Sequence, residues 1–149
     1  MRSFVILFAT WGGTGYSPVA SGTVGTLAAI PLYLVLARLP LSLYMLTLVT
    51  FCFFSCWVSG LAEEIFAEKD SGKIVIDEVA GYLVTMTGVA VSWQSVVAGF
   101  FLFRFFDITK LQPARYCDRH LKNGYGVVLD DVVAGVYSCI ALHLLQRFM

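Results

Sequence analysis

Charge is missing from most of this chain, and the pattern of its absence limits what the chain can fold into. Residues 3–37, 39–62, 79–103 and 132–146 contain no Asp, Glu, Lys or Arg, and these four runs hold 99 of the 149 residues. Seventeen of the twenty charges lie in two segments, 63–78 and 104–131, and the other three are Arg2, Arg38 and Arg147. A membrane-crossing helix needs about 20 predominantly apolar residues, so runs of this length read as crossings. Only 13% of the residues are charged, against about 25% in a typical soluble domain. The length fits one domain, residues 1–149. Ample apolar sequence rules out a disordered chain. Ten basic and ten acidic residues cancel, which gives no basic field for nucleic acid.

Punctuation then places the helices. Residues 24–39 read as a first apolar helix with Pro31 as a kink, and Pro40 marks a tight turn into a second over 41–62. Residues 63–69 continue that helix out of the lipid until Asp70-Ser71-Gly72 ends it. After an extended link over 73–76, Asp77 and Glu78 open a third helix over 79–91. The 79–103 run fits one long crossing of about 37 Å or two short helices broken at Ser92-Trp93-Gln94-Ser95. The polar break with an interfacial Trp favours the second. A last helix covers 129–147. The expected fold is all-α, an integral membrane bundle of about five hydrophobic helices with an N-terminal glycine-rich loop. Sorted by this topology, eight Lys and Arg residues fall on one side and two, Arg38 and Arg147, on the other. The positive-inside rule makes the charged side cytoplasmic. The first residues lack a signal-peptide cleavage context. Cys52, Cys56, Cys117 and Cys139 have neither metal spacing nor a disulfide pattern, and Cys52 and Cys56 read as small packing residues.

Four polar groupings interrupt the apolar sequence. Ile76-Asp77-Glu78-Val79-Ala80-Gly81-Tyr82 echoes Leu129-Asp130-Asp131-Val132-Val133-Ala134-Gly135-Val136-Tyr137, an acidic pair opening an apolar helix each time. One carboxylate suffices for a helix cap. Adjacent pairs at a membrane boundary cost more than capping returns, and they suit a hard divalent cation such as Mg²⁺. Small residues Ala80, Gly81, Ala134 and Gly135 would let the two helices approach closely. Arg104, Asp107 and Lys110 share a helix face at i, i+3, i+6. That pattern gives either a salt-bridge ladder or an acid for metal beside two cations for phosphate. The segment from Trp11 to Thr26 carries five glycines with Thr14, Ser17, Ser21 and Thr23, a possible anion cradle or a plain re-entrant loop. Arg115, Asp118, Arg119 and Lys122 form one face of a short helix, either solvated or set against anionic lipid headgroups. His120 and His143 are single: the first reads as a surface residue, the second as a packing or hydrogen-bonding one.

The stretches TGYSPVASGTVGTLAAIP, IDEVAGY, FRFFDITKLQPARYCDR and GYGVVLDDVVAGV, in that order, resemble the phosphatidylglycerophosphatase A family along nearly the whole chain. The resemblance implies a bacterial inner-membrane, Mg²⁺-dependent lipid phosphatase, multi-pass, with its active site on the cytoplasmic face. It would hydrolyse phosphatidylglycerophosphate to phosphatidylglycerol and phosphate. It also implies that Asp77, Glu78, Asp107, Asp130 and Asp131 form the acidic core, with Arg104 and Lys110 in the same matched stretch. Other phosphatase chemistries lack their signatures: no Cys has an Arg six positions on, and no Asp-x-Asp-x-Thr occurs. The rival readings are a phosphatase of another lipid phosphate, such as phosphatidic acid, and a small divalent-cation transporter.

Overall fold

A computed structural model describes residues 1–69, 71–112 and 124–148. Among these residues the fold is all-helical: α1 (Arg2–Ala9), a 3₁₀ turn (Thr14–Tyr16), α2 (Ser21–Leu36), α3 (Leu41–Phe66), α4 (Ile76–Thr85), α5 (Trp93–Thr109) and α6 (Gly124–Gln146). The basic face at Arg115, Asp118, Arg119 and Lys122 lies outside the described residues, as do Asp70, Cys117 and His120.

The shortest of the later helices organises the others. Eight of the ten α4 residues are buried, Asp77 among them, and α4 packs against α2, α3, α5 and α6. Tyr82, Leu83, Met86 and Phe103 fill the space around it. The α4–α6 crossing is close because both helices carry glycine there. A Cβ on Gly81 would lie 2.7 Å from the Asp131 carbonyl oxygen, and one on Gly135 would lie 2.4 Å from that of Gly81. Real Cβ atoms do not approach backbone this closely, so two glycines bring the two acidic pairs together, as their spacing predicts.

The run over 79–103 is broken, not continuous. Helix α4 stops at Thr85, short of residue 91, where Met86-Thr87-Gly88 turns the chain with Gly88 at φ +69°. Ser92 caps α5, its Oγ accepting from the Ser95 backbone N–H at 3.1 Å. The resulting α4–α5 hairpin returns residues 104–110 to the end of the bundle that holds Asp77 and Glu78. The opposite end is tied by Gln146, whose Nε2 donates to the Ala90 carbonyl (3.2 Å) and Ser95 Oγ (2.9 Å).

Several expected boundaries shift. Helix α1 forms where only a short apolar stretch is evident, anchored by Val5 and Ala9 against α3. Helix α2 starts at Ser21 and keeps Pro31 inside it. Helix α3 ends at Phe66, with Ala67 left-handed at φ +52°. The expectation most changed concerns Asp130 and Asp131: α6 begins at Gly124, so the pair lies well inside the helix and caps nothing. Gly124 permits the early start by packing on α3, where a Cβ would lie 2.3 Å from Gly60 N.

The expected five crossings also contract. By length and apolar composition, two described helices could span a bilayer, α3 and α6. Their apolar stretches face largely outward, 28% and 44% buried respectively. Phe53 on α3 and Ile140 on α6 are more than half exposed on that outer surface, as is Phe101 on α5.

Replacing Gly135 by Val forces the α4–α6 crossing apart. The expected cost is about 2–3 kcal/mol, roughly 5–10 °C in Tm. Thermal unfolding in detergent checks this against Ile140→Val on the outer face, which should shift Tm by far less.

Candidate active site

Five carboxylates from three helices meet in one pocket. Asp77 and Glu78 come from the first turn of α4, Asp107 from the last turn of α5, and Asp130 and Asp131 from α6. The pocket has a volume of about 140 Å³, and Ser21, Ser71, Gly72 and Lys110 also line it. Asp77, Asp130 and Asp131 are buried, with 4–6% of their surface exposed. Carboxylate oxygens of Asp77, Glu78 and Asp131 lie within 4.8 Å of one another, and so do those of Asp107, Asp130 and Asp131.

Two cations sit among these acids. Arg104 Nη1 donates to Asp107 Oδ2 and lies 3.8 Å from Glu78 Oε1. Lys110 Nζ lies 2.9 Å from Asp130 Oδ2. Lys110 leaves the helical path: it caps α5 in the left-handed conformation, φ +44° and ψ +60°. The Arg104–Asp107–Lys110 face therefore does not form an isolated ladder along α5. Its cations cross to α4 and α6 and join all three helices.

Helix α2 completes the wall. A Cβ on Gly22 would lie 2.1 Å from Glu78 Oε1 and 3.1 Å from Arg104 Nη1, so the first turn of α2 touches the acids and a side chain there would displace the Glu78 carboxylate. Ser21 Oγ donates to the Gly72 carbonyl at 2.6 Å, fixing α2 to the link before α4. Of Thr14, Ser17, Ser21 and Thr23 in the glycine-rich segment, Ser21 lines the pocket. Thr14 donates instead to the Thr10 and Trp11 carbonyls, and Ser17 to the Val19 carbonyl; Thr23 is half-buried in the first turn of α2. Sequence reasoning missed Ser71, which is 2% exposed and donates to Glu68 Oε2 at 2.7 Å. Its one signal was its place between a helix end and an acidic pair.

The electrostatics favour a bound cation. Burial first, then the neighbouring charges of Asp77 and Asp107, push the Glu78 carboxyl well above the usual carboxylate range; Arg104 opposes them. Among the described residues, Glu78 Oε2 and Asp131 Oδ2 are buried without a hydrogen-bond partner. Buried carboxylate oxygens normally find a donor or a metal ion. An all-oxygen donor set of this charge suits a hard divalent cation, Mg²⁺ above softer metals. The residues present therefore fit such an ion.

Comparisons with known proteins identify the family. Residues 7–146 match the family described as phosphatidylglycerophosphatase A. The chain is 36% identical over 140 residues to phosphatidylglycerophosphatase A of Escherichia coli, covering 93% of this chain and 81% of that protein. It is 37% identical over 145 residues to phosphatidylglycerophosphatase A of Haemophilus influenzae, covering 96% and 89%. A relative in Bacteroides thetaiotaomicron, with the provisional description phosphatidylinositol-3-phosphatase, is 36% identical over 145 residues, covering 92% and 90%. No solved structure matches. With its acids, cations and helix order accounted for, the chain belongs to the phosphatidylglycerophosphatase A family.

Proposed function

We propose that this protein is a bacterial inner-membrane lipid phosphatase acting in phospholipid biosynthesis. It removes the terminal phosphate of phosphatidylglycerophosphate, releasing phosphatidylglycerol and inorganic phosphate. The observation that carries this reading is the joining of five carboxylates, Arg104 and Lys110 in one pocket at one end of an apolar bundle. Asp77, Glu78, Asp107, Asp130 and Asp131 would hold Mg²⁺. The bound ion would polarise the phosphoryl oxygen and acidify the attacking water.

The chain's own groups supply the rest. Lys110 stands at the pocket wall, where its ammonium can neutralise charge on the transferred phosphoryl group. Arg104, held by Asp107 and Glu78, places a guanidinium charge beside the acids, where it would counter the charge of a bound phosphate. The first turn of α2 adds backbone N–H groups and the positive end of a helix dipole beside the acids. One carboxylate accepts the proton of the attacking water.

The outward-facing apolar surfaces of α3 and α6 support a membrane location. Helices α2, α4 and α5 have 16, 10 and 17 residues. As crossings, such short helices require bilayer thinning or cover from their neighbours. Among the described residues, Arg2, Lys69, Lys73, Arg104 and Lys110 lie at the pocket end and Arg38 and Arg147 at the other. That bias favours a cytoplasmic pocket. A second reading keeps the chemistry and changes the headgroup. It is favoured by the Bacteroides relative, whose description specifies a different lipid phosphate.

Asp107→Asn and Asp131→Asn should each abolish phosphate release in Mg²⁺ while far-UV CD and gel filtration stay unchanged. Near-normal turnover in both would exclude the acidic site. Arg104→Gln should lower kcat/KM by about 10²-fold or more, measured as phosphate release from phosphatidylglycerophosphate; a panel including phosphatidic acid and a phosphoinositide reads the headgroup preference. For orientation, single cysteines placed at Glu68 and Leu111 in a cysteine-free background should label from the cytoplasmic side. One at Leu39 should label from the other side. Labelling of positions 68 and 111 from opposite faces would overturn the α4–α5 hairpin topology.

A further inference from the structure

Counting charge in the pocket separates one ion from two. Among the described residues, five carboxylates held ionised by bound metal would stand at −3 against Arg104 and Lys110. One divalent cation reduces this to −1, which still repels a phosphate monoester carrying about −1.5 to −2 at neutral pH. A second brings the pocket to +1, which attracts it. The carboxylates fall into two groups of three that share one member: Asp77, Glu78 and Asp131, and Asp107, Asp130 and Asp131. The shared residue is 4% exposed, and its Oδ2 has no hydrogen-bond partner. The volume of about 140 Å³ admits on the order of four waters at ~30 Å³ each, enough for two small cations with part of their hydration.

We infer that the pocket is a two-cation site, with Asp77 and Glu78 holding one divalent ion, Asp107 and Asp130 holding the other, and Asp131 shared between them. The inference rests on the metal-dependent phosphatase reading and adds a number and an arrangement to it. The two positions are unequal. Asp107 and Asp130 each share an oxygen with a resident cation, Arg104 or Lys110, so their ion binds more weakly. Glu78 lies farther from its cation, at 3.8 Å.

Mn²⁺ binding to the metal-free full chain in detergent tests this without an activity readout. Equilibrium dialysis should give two Mn²⁺ per chain, the second weaker than the first. The six-line EPR signal of the first equivalent should be replaced by that of a coupled pair as the second binds, because ions in a two-metal site lie about 3.5–4 Å apart. Glu78→Gln and Asp130→Asn should each reduce binding to one uncoupled Mn²⁺, and Asp131→Asn should remove the coupled signal. One Mn²⁺ per wild-type chain at saturation overturns the second position and leaves the metal-dependent phosphatase standing. Two uncoupled ions overturn the sharing by Asp131. No bound Mn²⁺ overturns the inference and the metal-dependent reading together.

Discussion

The α4–α6 backbone crossing at Gly81 and Gly135 is the constraint on which the rest of the architecture depends. With Cβ atoms there the helices would separate, because each Cβ would press on a backbone carbonyl oxygen of the other helix, which cannot swing aside as a flexible side chain can. Asp77 and Glu78 lie one turn or less before Gly81, and Asp131 lies one turn before Gly135. A wider crossing would therefore pull apart the two acidic pairs that share the pocket. Packing against Phe103 fixes α5 to the same point, and α5 brings Arg104, Asp107 and Lys110. A small-residue contact in the apolar layer thus sets the spacing of the polar layer above it.

That polar layer is expensive to build. Burying a carboxylate costs several kcal/mol unless its charge is matched. Arg104 and Lys110 match part of it, and each joins different helices: α5 to α4 through Glu78, and α5 to α6 through Asp130. What remains is a negative pocket with unpartnered oxygens on Glu78 and Asp131. Such a site stores unfavourable electrostatics that a cation relieves, so ion binding and local stability are coupled.

Much of this arrangement was legible in the sequence, for identifiable reasons. The repeated acidic pair, the i, i+3, i+6 spacing and the small residues after each pair are local patterns, and they converge in space. The break at Ser92 was legible because a serine cap and a polar patch interrupt an apolar run. The start of α6 was not. An acidic pair before an apolar stretch reads as a helix N-terminus, whereas the true start depends on Gly124 meeting Gly60 across 64 positions of sequence. The roles of Thr14 and Ser17 were equally hidden: a hydroxyl in a glycine-rich loop looks the same whether it faces an anion or binds its own main chain. Ser71 carried only its place between a helix end and an acidic pair, since its position in the pocket follows from how the link before α4 folds back on α2.

The position of the pocket also bears on how a lipid phosphate would reach it. Past Asp131, α6 carries no formal charge until Arg147, and past Glu78 the α4–α5 hairpin carries none until Arg104. The pocket acids therefore lie at one end of a bundle whose outer surface is largely apolar. A phospholipid keeps its phosphate at a bilayer surface and its chains below, which is the same division of polar from apolar. On the proposed reading, the enzyme need not extract its substrate from the bilayer, since apolar helix faces can lie beside the acyl chains while the acids meet the headgroup. Recognition would then rest on the phosphate and its immediate neighbours, where Arg104, Lys110 and the start of α2 converge, and different headgroups could be accepted by changing the pocket wall without altering the acids.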